Sequence, residues 1–360
     1  MASVSLGSVP RMLRTTPRAR LCLAALLIFF GCGTAQGAIK IERVQKADVK
    51  VLPGQGGFTN PLTGIVSYSP QDWQKRRALG IKVGNSSNER PQSGLDRADV
   101  VYEEIVEGGV TRFLAVFLTN EAPKVGPVRS VRNADADIMA PLKGLFGYSG
   151  GVPPVISKLR GTDGVTDVGA NVVGGAYRRD SGRPMPYNLY TSTDRLWSGR
   201  SGSPPPAMFE FLSSNDDPAT GGEANANEVK FAFANNSDEV RYLFDKKAGR
   251  YERFVGEDEH RIDGEGEGAQ LGFSNVLIQK VGVSAGLTVD TRGQSSSEIA
   301  LIGSGQAALA RGGKILSGRW ERPNVGSPTR FIGADGVALK LAPGTTIVEL
   351  LPAGREFFVT

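Results

Sequence analysis

Charged residues are crowded into residues 85–132, beside runs of apolar residues, glycines and prolines. Seven of them define the candidate region: Arg90, Glu103, Glu104, Glu107, Arg112, Arg129 and Arg132. A hydrophobic core does not need this many charges, and buried charges must be paired or must contact a ligand. The segment therefore predicts a functional site, although it does not specify a reaction.

Two arginines of this segment lie near the predicted start of a helix. The pattern predicts a helix over residues 128–143 with Ser130 as its N-cap. Arg129 and Arg132 would then present two guanidinium groups beside free backbone N–H groups, which suits a phosphate or carboxylate ligand. Alternatively, both arginines pair with glutamates of the same segment and serve only the fold. The sequence leaves these two interpretations open.

A β-hairpin is predicted before this helix. Residues 100–106 and 111–118 are rich in β-branched and aromatic residues, and two glycines lie between them. A two-residue loop at these glycines would place Glu103, Glu107 and Arg112 on one face, because strand side chains alternate. The hairpin therefore predicts a charged surface beside the two arginines.

Two glutamates on one face could act as general acid and base. An envelope glycan hydrolase or transferase using Glu103 and Glu107 is therefore one alternative. Arg112 argues against it, since its charge would keep a neighbouring carboxylate ionised. Ser149 could be a nucleophile served by Lys158, but it lies in an ordinary glycine turn. The catalytic residues are therefore left unassigned.

A long loop at residues 178–193 offers further polar contacts. It combines arginines with tyrosines, and its Asn188 and Tyr190 would close over a polar ligand. Asn85, Arg90 and Gln92 would supply additional donors. The full set of predicted ligand-binding residues is Asn85, Arg90, Gln92, Ser93, Glu103, Glu107, Arg112, Arg129, Arg132, Ser149, Asn188 and Tyr190.

Histidine and cysteine content limits the chemistry. The chain has one histidine, His260, and two cysteines, Cys22 and Cys32. Zinc sites built from several His or Cys ligands are excluded, as is a Cys-His catalytic pair in the part of the chain that follows Cys32. The acidic residues around 257–267 lack the spacing of a calcium loop. We therefore predict no metal site and no cofactor.

The basic net charge comes from one end of the chain. Four arginines and no acidic residues precede Ala38, so they supply four of the five net positive charges and leave +1 for the rest. A nearly neutral protein lacks the basic surface that nucleic-acid binding requires. No nucleic-acid partner is predicted.

Residues 1–37 have the pattern of a secretory signal peptide. Arginines precede the apolar run 21–30, and small residues follow it. The run has about half of the roughly 20 apolar residues that a transmembrane helix requires. Cys32 resembles the cysteine of a lipobox, which would carry a lipid anchor, whereas cleavage near Ala35 would secrete the protein. Both outcomes predict an extracytoplasmic location.

Composition divides the rest of the chain into two domains. Residues 38–57 are predicted to be a tether. Strands alternating with helices predict an α/β N-terminal domain over 58–197. The polar, turn-rich residues 198–227 predict a flexible linker. Short strands separated by turns predict a mostly antiparallel β (α+β) C-terminal domain over 228–360.

Several motifs, taken in order, resemble a known family. They are NPLTG from Asn60, NSSNERPQSGLDRADVVYE from Asn85, EGGVTRF from Glu107, GPVRSVR from Gly126 and GSGQAALARGGKILSGRW from Gly303. These motifs resemble the YerB-like bacterial envelope lipoproteins, catalogued as domain-of-unknown-function family 3048. The resemblance implies an α/β domain followed by a β-rich domain, usually held outside the membrane by a lipid anchor.

The resemblance supplies no catalytic residues. Tyr187 stands where the family usually has a histidine, which argues against a mechanism that requires histidine in that loop.

These observations predict a non-enzymatic module of the bacterial envelope that binds a polar or anionic ligand, such as cell-wall glycan or a precursor. Arg129 and Arg132 would bind the anion, and Glu103, Glu107 and Arg112 would form a braced floor. An adaptor for cell-wall synthesis proteins is another alternative, in which the C-terminal domain provides the protein-facing surface. Membrane contact is expected only through the possible lipid anchor.

Overall fold

The structure, a computed structural model, describes residues 57–235, 237–263, 268–289 and 293–360, with the backbone alone at 287–289. The predicted signal peptide with Cys32, and the predicted tether up to residue 56, lie outside the described residues. Within these ranges, no helix is both long and apolar enough to cross a membrane.

The described ranges contain three α-helices and twenty-two strands. The helices are α1 (Asn133–Leu142), α2 (Pro153–Arg160) and α3 (Thr193–Trp197). The strands are β1 (Phe58–Thr59), β2 (Val66–Ser67), β3 (Leu79–Gly84), β4 (Val100–Ile105), β5 (Thr111–Phe117), β6 (Leu145–Gly147), β7 (Thr166–Asp167), β8 (Arg178–Arg179), β9 (Leu189–Tyr190), β10 (Ala224–Asn225), β11 (Glu228–Phe231), β12 (Val240–Asp245), β13 (Arg250–Val255), β14 (Asp258–Glu259), β15 (Gly272–Phe273), β16 (Asn275–Val289), β17 (Ser295–Ala300), β18 (Gly303–Arg311), β19 (Lys314–Arg322), β20 (Arg330–Gly333), β21 (Thr346–Pro352) and β22 (Phe357–Val359).

Twelve strands of the described ranges form a central sheet. Its order is β10-β19-β18-β16-β21-β4-β5-β3-β6-β7, with β17 paired to β16 and β20 paired to β19. Strand β21 runs parallel to β4 on one side and to β16 on the other. A strand from the last part of the sequence therefore joins the N-terminal strands to the C-terminal ones.

The predicted fold class is confirmed. All three described α-helices lie before residue 198, and the strands of the C-terminal region pair mostly antiparallel. Both predicted domains contribute strands to the central sheet. The division into two domains at residues 198–227 stays a prediction.

Apolar side chains cover both faces of the central sheet, because successive residues of a strand point to opposite faces. On one face, Val83, Val101 and Phe113 belong to the core shared with the second sheet, which is formed by β11 to β15 and β22. On the other face, Tyr102 and Leu114 belong to the core shared with α1 and α2. We call these the second-sheet face and the helix face.

The β4–β5 hairpin differs from its predicted register. A 3-10 turn at Glu107–Gly109, in which both glycines have positive φ (72° and 77°), lengthens the connection to residues 106–110. Glu104 therefore pairs with Arg112 and shares its face, which is the helix face. Glu103 points to the second-sheet face. The prediction that Glu103 and Arg112 share one face was wrong by one residue of register.

Helix α1 begins at Asn133, so residues 129–132 form an extended loop before it. The carboxylate of Asp135 accepts a hydrogen bond of 2.6 Å from the backbone N–H of Arg132, and so caps the helix in place of the predicted Ser130. The backbone N–H of Arg129 donates to the carbonyl of Lys82 on β3 at 2.9 Å. The two arginines are thus held between the sheet and the helix.

Candidate anion-binding site

A cleft of about 710 Å³ lies next to the start of α1. The hairpin turn 106–110, the loop 129–132, residues 186–187 and part of β17 contribute side chains to its walls. We call it the arginine cleft. Its charged lining residues are Glu89, Glu107, Arg112, Arg129, Arg132 and Glu298.

Two of these arginines are paired with glutamates. Arg129 Nε lies 2.7 Å from Glu89 Oε1, and Arg129 Nη1 donates to the carbonyl of Pro186 at 3.1 Å. Arg132 Nη2 donates to Glu107 Oε2 at 2.6 Å. Burial acts to raise the pKa of Glu107, but the hydrogen bond and charge of Arg132 outweigh it and lower that pKa. Glu107 is therefore a counterion, not a proton donor.

Arg112 has a different environment. Its side chain is buried, with 8% of the residue exposed, and Nη1 donates to the carbonyl of Ser130 at 2.9 Å. Among the described residues, no carboxylate lies within 4.0 Å of its guanidinium. Burial, followed by the charges of Arg132 and Arg129, lowers the pKa of Arg112 to about 10. The cleft therefore contains a buried cation that makes no ion pair within 4.0 Å with a carboxylate of the described residues, while Glu107 and Glu89 attract it from farther away.

The loop predicted to cover the ligand reaches the arginine cleft through Tyr187. Its ring centroid is 5.5 Å from the guanidinium carbon of Arg129. Asn188 accepts a hydrogen bond of 2.8 Å from an arginine of its own loop, and the ring of Tyr190 lies under Lys124 Nζ at 4.6 Å. Neither Asn188 nor Tyr190 lines the cleft.

Four other predicted residues belong to a buried polar network on the second-sheet face. They are Asn85, Arg90, Gln92 and Glu103. Glu103 accepts hydrogen bonds from Arg253 Nη2 at 2.7 Å, Thr111 Oγ1 at 2.6 Å and Asn85 Nδ2 at 2.9 Å. A separate cavity of about 160 Å³ borders this network and is lined by Asn85, Arg90 and Glu103.

His260 connects the network to Gln92. Arg253 Nη1 donates to His260 Nδ1, so the proton of the neutral ring is on Nε2, which donates to Gln92 Oε1 at 2.8 Å. Burial, together with the charges of Arg253 and Arg90, lowers the pKa of His260 well below its usual range. The histidine is a neutral part of the core.

The two glutamates proposed as an acid and base pair do not face a common space. Glu103 lines the 160 Å³ cavity, whereas Glu107 lines the arginine cleft. Glycoside hydrolysis requires two carboxylates on either side of one bond. The geometry expected of a Glu103/Glu107 glycan hydrolase or transferase was therefore wrong.

Neither of the two predicted serines lines the arginine cleft. Ser93 Oγ lies 3.3 Å from Asp263 Oδ2. The backbone N–H of Ser149 donates to the carbonyl of Arg129 at 2.9 Å and so supports the arginine loop. Lys158 Nζ contacts the Asp137 carboxylate at 2.9 Å, so it is engaged in an ion pair and not in activating Ser149.

Pattern reasoning missed several residues of these sites. Lys82 interrupts the apolar run of β3, and an isolated charge inside a buried strand is a signal for a buried ion pair. Arg253 is one of three charged residues of β13, and only the alternating burial of that strand in the structure distinguishes it from the others. The sequence contains no such signal for Glu298, because this residue lies in a polar, serine-rich stretch.

Glu104 predicts a pH dependence of stability. Burial, opposed by Lys82 and reinforced by Asp135, raises the pKa of Glu104 from 4.5 to about 7. The folded state therefore holds a proton that the unfolded chain has lost, and stability falls as pH rises from about 4.5 to about 7. We expect this loss to be about 3 kcal/mol.

A Glu104→Gln variant should lose less stability than the wild type across that range. Urea unfolding at several pH values would measure the difference between the two proteins. Glu121→Gln, at a half-exposed glutamate on the surface, is the control that should follow the wild type. Parallel pH profiles for wild type and Glu104→Gln would contradict the raised pKa.

Comparisons with known proteins match most of the chain to one protein family. Residues 62–204 match "Protein of unknown function (DUF3048) N-terminal domain", and residues 229–348 match the C-terminal domain of the same family. The chain is 29% identical over 300 residues to "Putative lipoprotein YerB" of Bacillus subtilis (strain 168), covering 81% of this chain and 86% of that protein.

The crystal structure of the YerB protein from Bacillus subtilis is also similar. Its TM-score is 0.69 at 25% sequence identity, and the match covers 84% of this chain and 99% of that one. The name of this relative is consistent with the lipid-anchored position that the resemblance implies. The chain belongs to the DUF3048 family and contains both the N-terminal and the C-terminal domain that define it.

Proposed function

We propose that this protein is a non-enzymatic binding module of the bacterial envelope that holds an anionic ligand in the arginine cleft. The observation that carries the proposal is Arg112, a buried guanidinium with no carboxylate within 4.0 Å in the described chain. A buried charge without a partner is costly. A phosphate or carboxylate in the cleft would remove that cost.

The lining of the cleft carries three arginines and three glutamates, so the proposed anion depends on which of these charges are paired. Three guanidinium groups line the cleft, and the two glutamates that touch them are engaged by Arg129 and Arg132. A ligand anion at Arg112 would complete the pairing with charge-assisted hydrogen bonds. Arg129 and Arg132, which the sequence predicted as the anion ligands, would then act through the donors that their glutamates leave free.

The size and the lining of the cleft favour a ligand larger than a simple ion. About 710 Å³ accommodates a small organic molecule or a few sugar units, and Tyr187 presents an aromatic ring at the rim. Anionic cell-wall glycan or one of its precursors fits these properties. The predicted signal peptide and the lipoprotein relative favour an extracytoplasmic location, where such polymers occur.

Replacing Arg112 by methionine tests the proposal. In the wild type, inorganic phosphate or pyrophosphate should raise the melting temperature above that in sodium chloride of equal ionic strength. Arg112→Met should lose this effect, with affinity lowered about tenfold to hundredfold. Its melting temperature without ligand should be unchanged or higher, because the variant no longer buries an unpaired cation.

Arg319→Met is the matched control, since Arg319 is half-exposed and pairs with Glu321 on the C-terminal strands. This variant should keep the response to phosphate. Co-sedimentation of the same three proteins with purified cell wall extends the test to the polymer. If phosphate does not stabilise the wild type and the wall does not retain it, the proposal is overturned.

A further inference from the structure

Glu298 is a carboxylate in the arginine cleft that neutralises none of the arginines. It lies on β17, and its Oε1 accepts a hydrogen bond of 2.6 Å from Asn133 Nδ2. Ser296 Oγ lies 3.4 Å from the same oxygen. No lysine, arginine or histidine of the described ranges lies within 4.0 Å of it. The cleft thus has a cationic and an anionic lining group that do not pair with each other.

The fold holds this carboxylate in place. Strand β17 pairs antiparallel with β16, with Glu298 opposite Ser284. Ser297 Oγ donates to the carbonyl of Val106 at 3.2 Å, which fixes β17 against the hairpin turn. A Cβ at Gly286 would stand 2.5 Å from Glu298 Oε1, so the glycine leaves the space that the carboxylate occupies.

Asn133 connects the two charged regions of the cleft. It follows Arg132 in sequence and is the first residue of α1. Its side-chain amide can donate but cannot neutralise a carboxylate. Glu298 is therefore held by neutral partners, and none of the arginines that line the cleft contacts it.

We propose that the arginine cleft takes a bipolar ligand, with a phosphate or carboxylate at Arg112, Arg129 and Arg132 and an ammonium group at Glu298. This inference rests on the proposed anion-binding function. It narrows the ligand class to anionic molecules that also carry an amine, such as amino-substituted phosphates, amino sugars with an acidic group, or amino acids. Purely anionic polymers would not use Glu298.

A pair of probes that differ in one group tests this inference. Phosphoethanolamine and ethyl phosphate have the same phosphate and similar size, and only the former carries an ammonium group. The former is less negative overall, so electrostatic attraction to the arginines alone would favour ethyl phosphate. Titration calorimetry on the wild type should instead give about tenfold tighter binding of phosphoethanolamine.

Glu298→Gln should abolish the preference for phosphoethanolamine without weakening the binding of ethyl phosphate. Glu321→Gln, at a partly exposed glutamate paired with Arg319, should leave the preference for phosphoethanolamine unchanged. Equal binding of both probes by the wild type would overturn the bipolar ligand and leave the anion site standing. Binding of neither probe would remove the proposed function itself. Glu298→Gln could also have a lower melting temperature and still prefer phosphoethanolamine. Glu298 would then be a structural residue, and the inference would be overturned.

Discussion

Replacing Lys82 by methionine is expected to lower the free energy of unfolding by about 3–5 kcal/mol. The Lys82 side chain is fully buried; its Nζ contacts the Glu104 carboxylate and lies 2.8 Å from Asp135 Oδ1. Without the ammonium group, two carboxylates would remain buried side by side. One would have to bind a proton, and the other would keep an uncompensated charge.

The loss should extend to the arginine cleft, because Asp135 also caps α1 at Arg132. Urea unfolding at neutral pH measures the change in stability. Lys280→Met is the matched control, because Lys280 is nearly as buried as Lys82. Its partner Glu356 is 72% exposed, so the Glu356 carboxylate would stay hydrated without the lysine. Equal losses for the two lysine variants would contradict this account.

Removing Glu104 as well should restore part of the stability. In Lys82→Met/Glu104→Gln, only one carboxylate remains in the cluster, so the double variant should be more stable than Lys82→Met alone. A double variant as unstable as Lys82→Met would mean that the loss comes from packing and not from charge.

Arg253→Met should be destabilised by a similar amount, about 3–5 kcal/mol. Arg253 is fully buried between the two sheets, and it donates to Glu103 at 2.7 Å and to the hydroxyl of Tyr242 at 3.1 Å. Its guanidinium carbon also lies 5.3 Å from the ring centroid of Phe113. Methionine would fill the space but would leave the charge of Glu103 buried without a cation.

Arg241→Met provides the comparison for this variant. Arg241 pairs with Glu228 and Glu257 at the surface of the second sheet, so its loss should cost no more than about 1 kcal/mol. Thermal and urea unfolding would measure the stability of three proteins: Arg253→Met, Arg241→Met and the double variant Arg253→Met/Glu103→Gln. The double variant should recover stability relative to Arg253→Met. A small effect of Arg253→Met would contradict the proposed importance of the buried pair.

Local sequence patterns predicted most elements of this fold but not their arrangement. The strand predicted at residues 250–255 coincides with β13, because a short run with aromatic and β-branched residues between two glycines is typical of a strand. The place of β21 between β4 and β16 could not be predicted in this way. The nearly continuous apolar run of β21 is typical of a strand buried on both faces, but its partners are far away in the sequence and the run does not identify them.

Only part of the candidate site was predicted, because sequence patterns describe neighbouring residues and not the partners that distant strands supply. The charged segment contains Glu107, Arg112, Arg129 and Arg132, which the structure brings together in one cleft, and their role as ligand-binding residues stays a prediction. The predicted role of Glu103 was wrong because the strand register differs from the prediction by one residue. The turn with its two positive-φ glycines sets this register, and it places Glu103 on the opposite face from Arg112. The partners Arg253 and Glu298 come from distant strands, so only the fold could reveal them.

The central position of β21 has a consequence for how the chain acquires its structure during synthesis. Strand β4 is synthesised long before β21, so the edge of β4 that faces away from β5 has no partner until residues 346–352 are available. The complete sheet can therefore form only when almost the whole polypeptide is present. An amino-terminal fragment released early would expose an apolar strand edge, which makes it a substrate for chaperones or for aggregation.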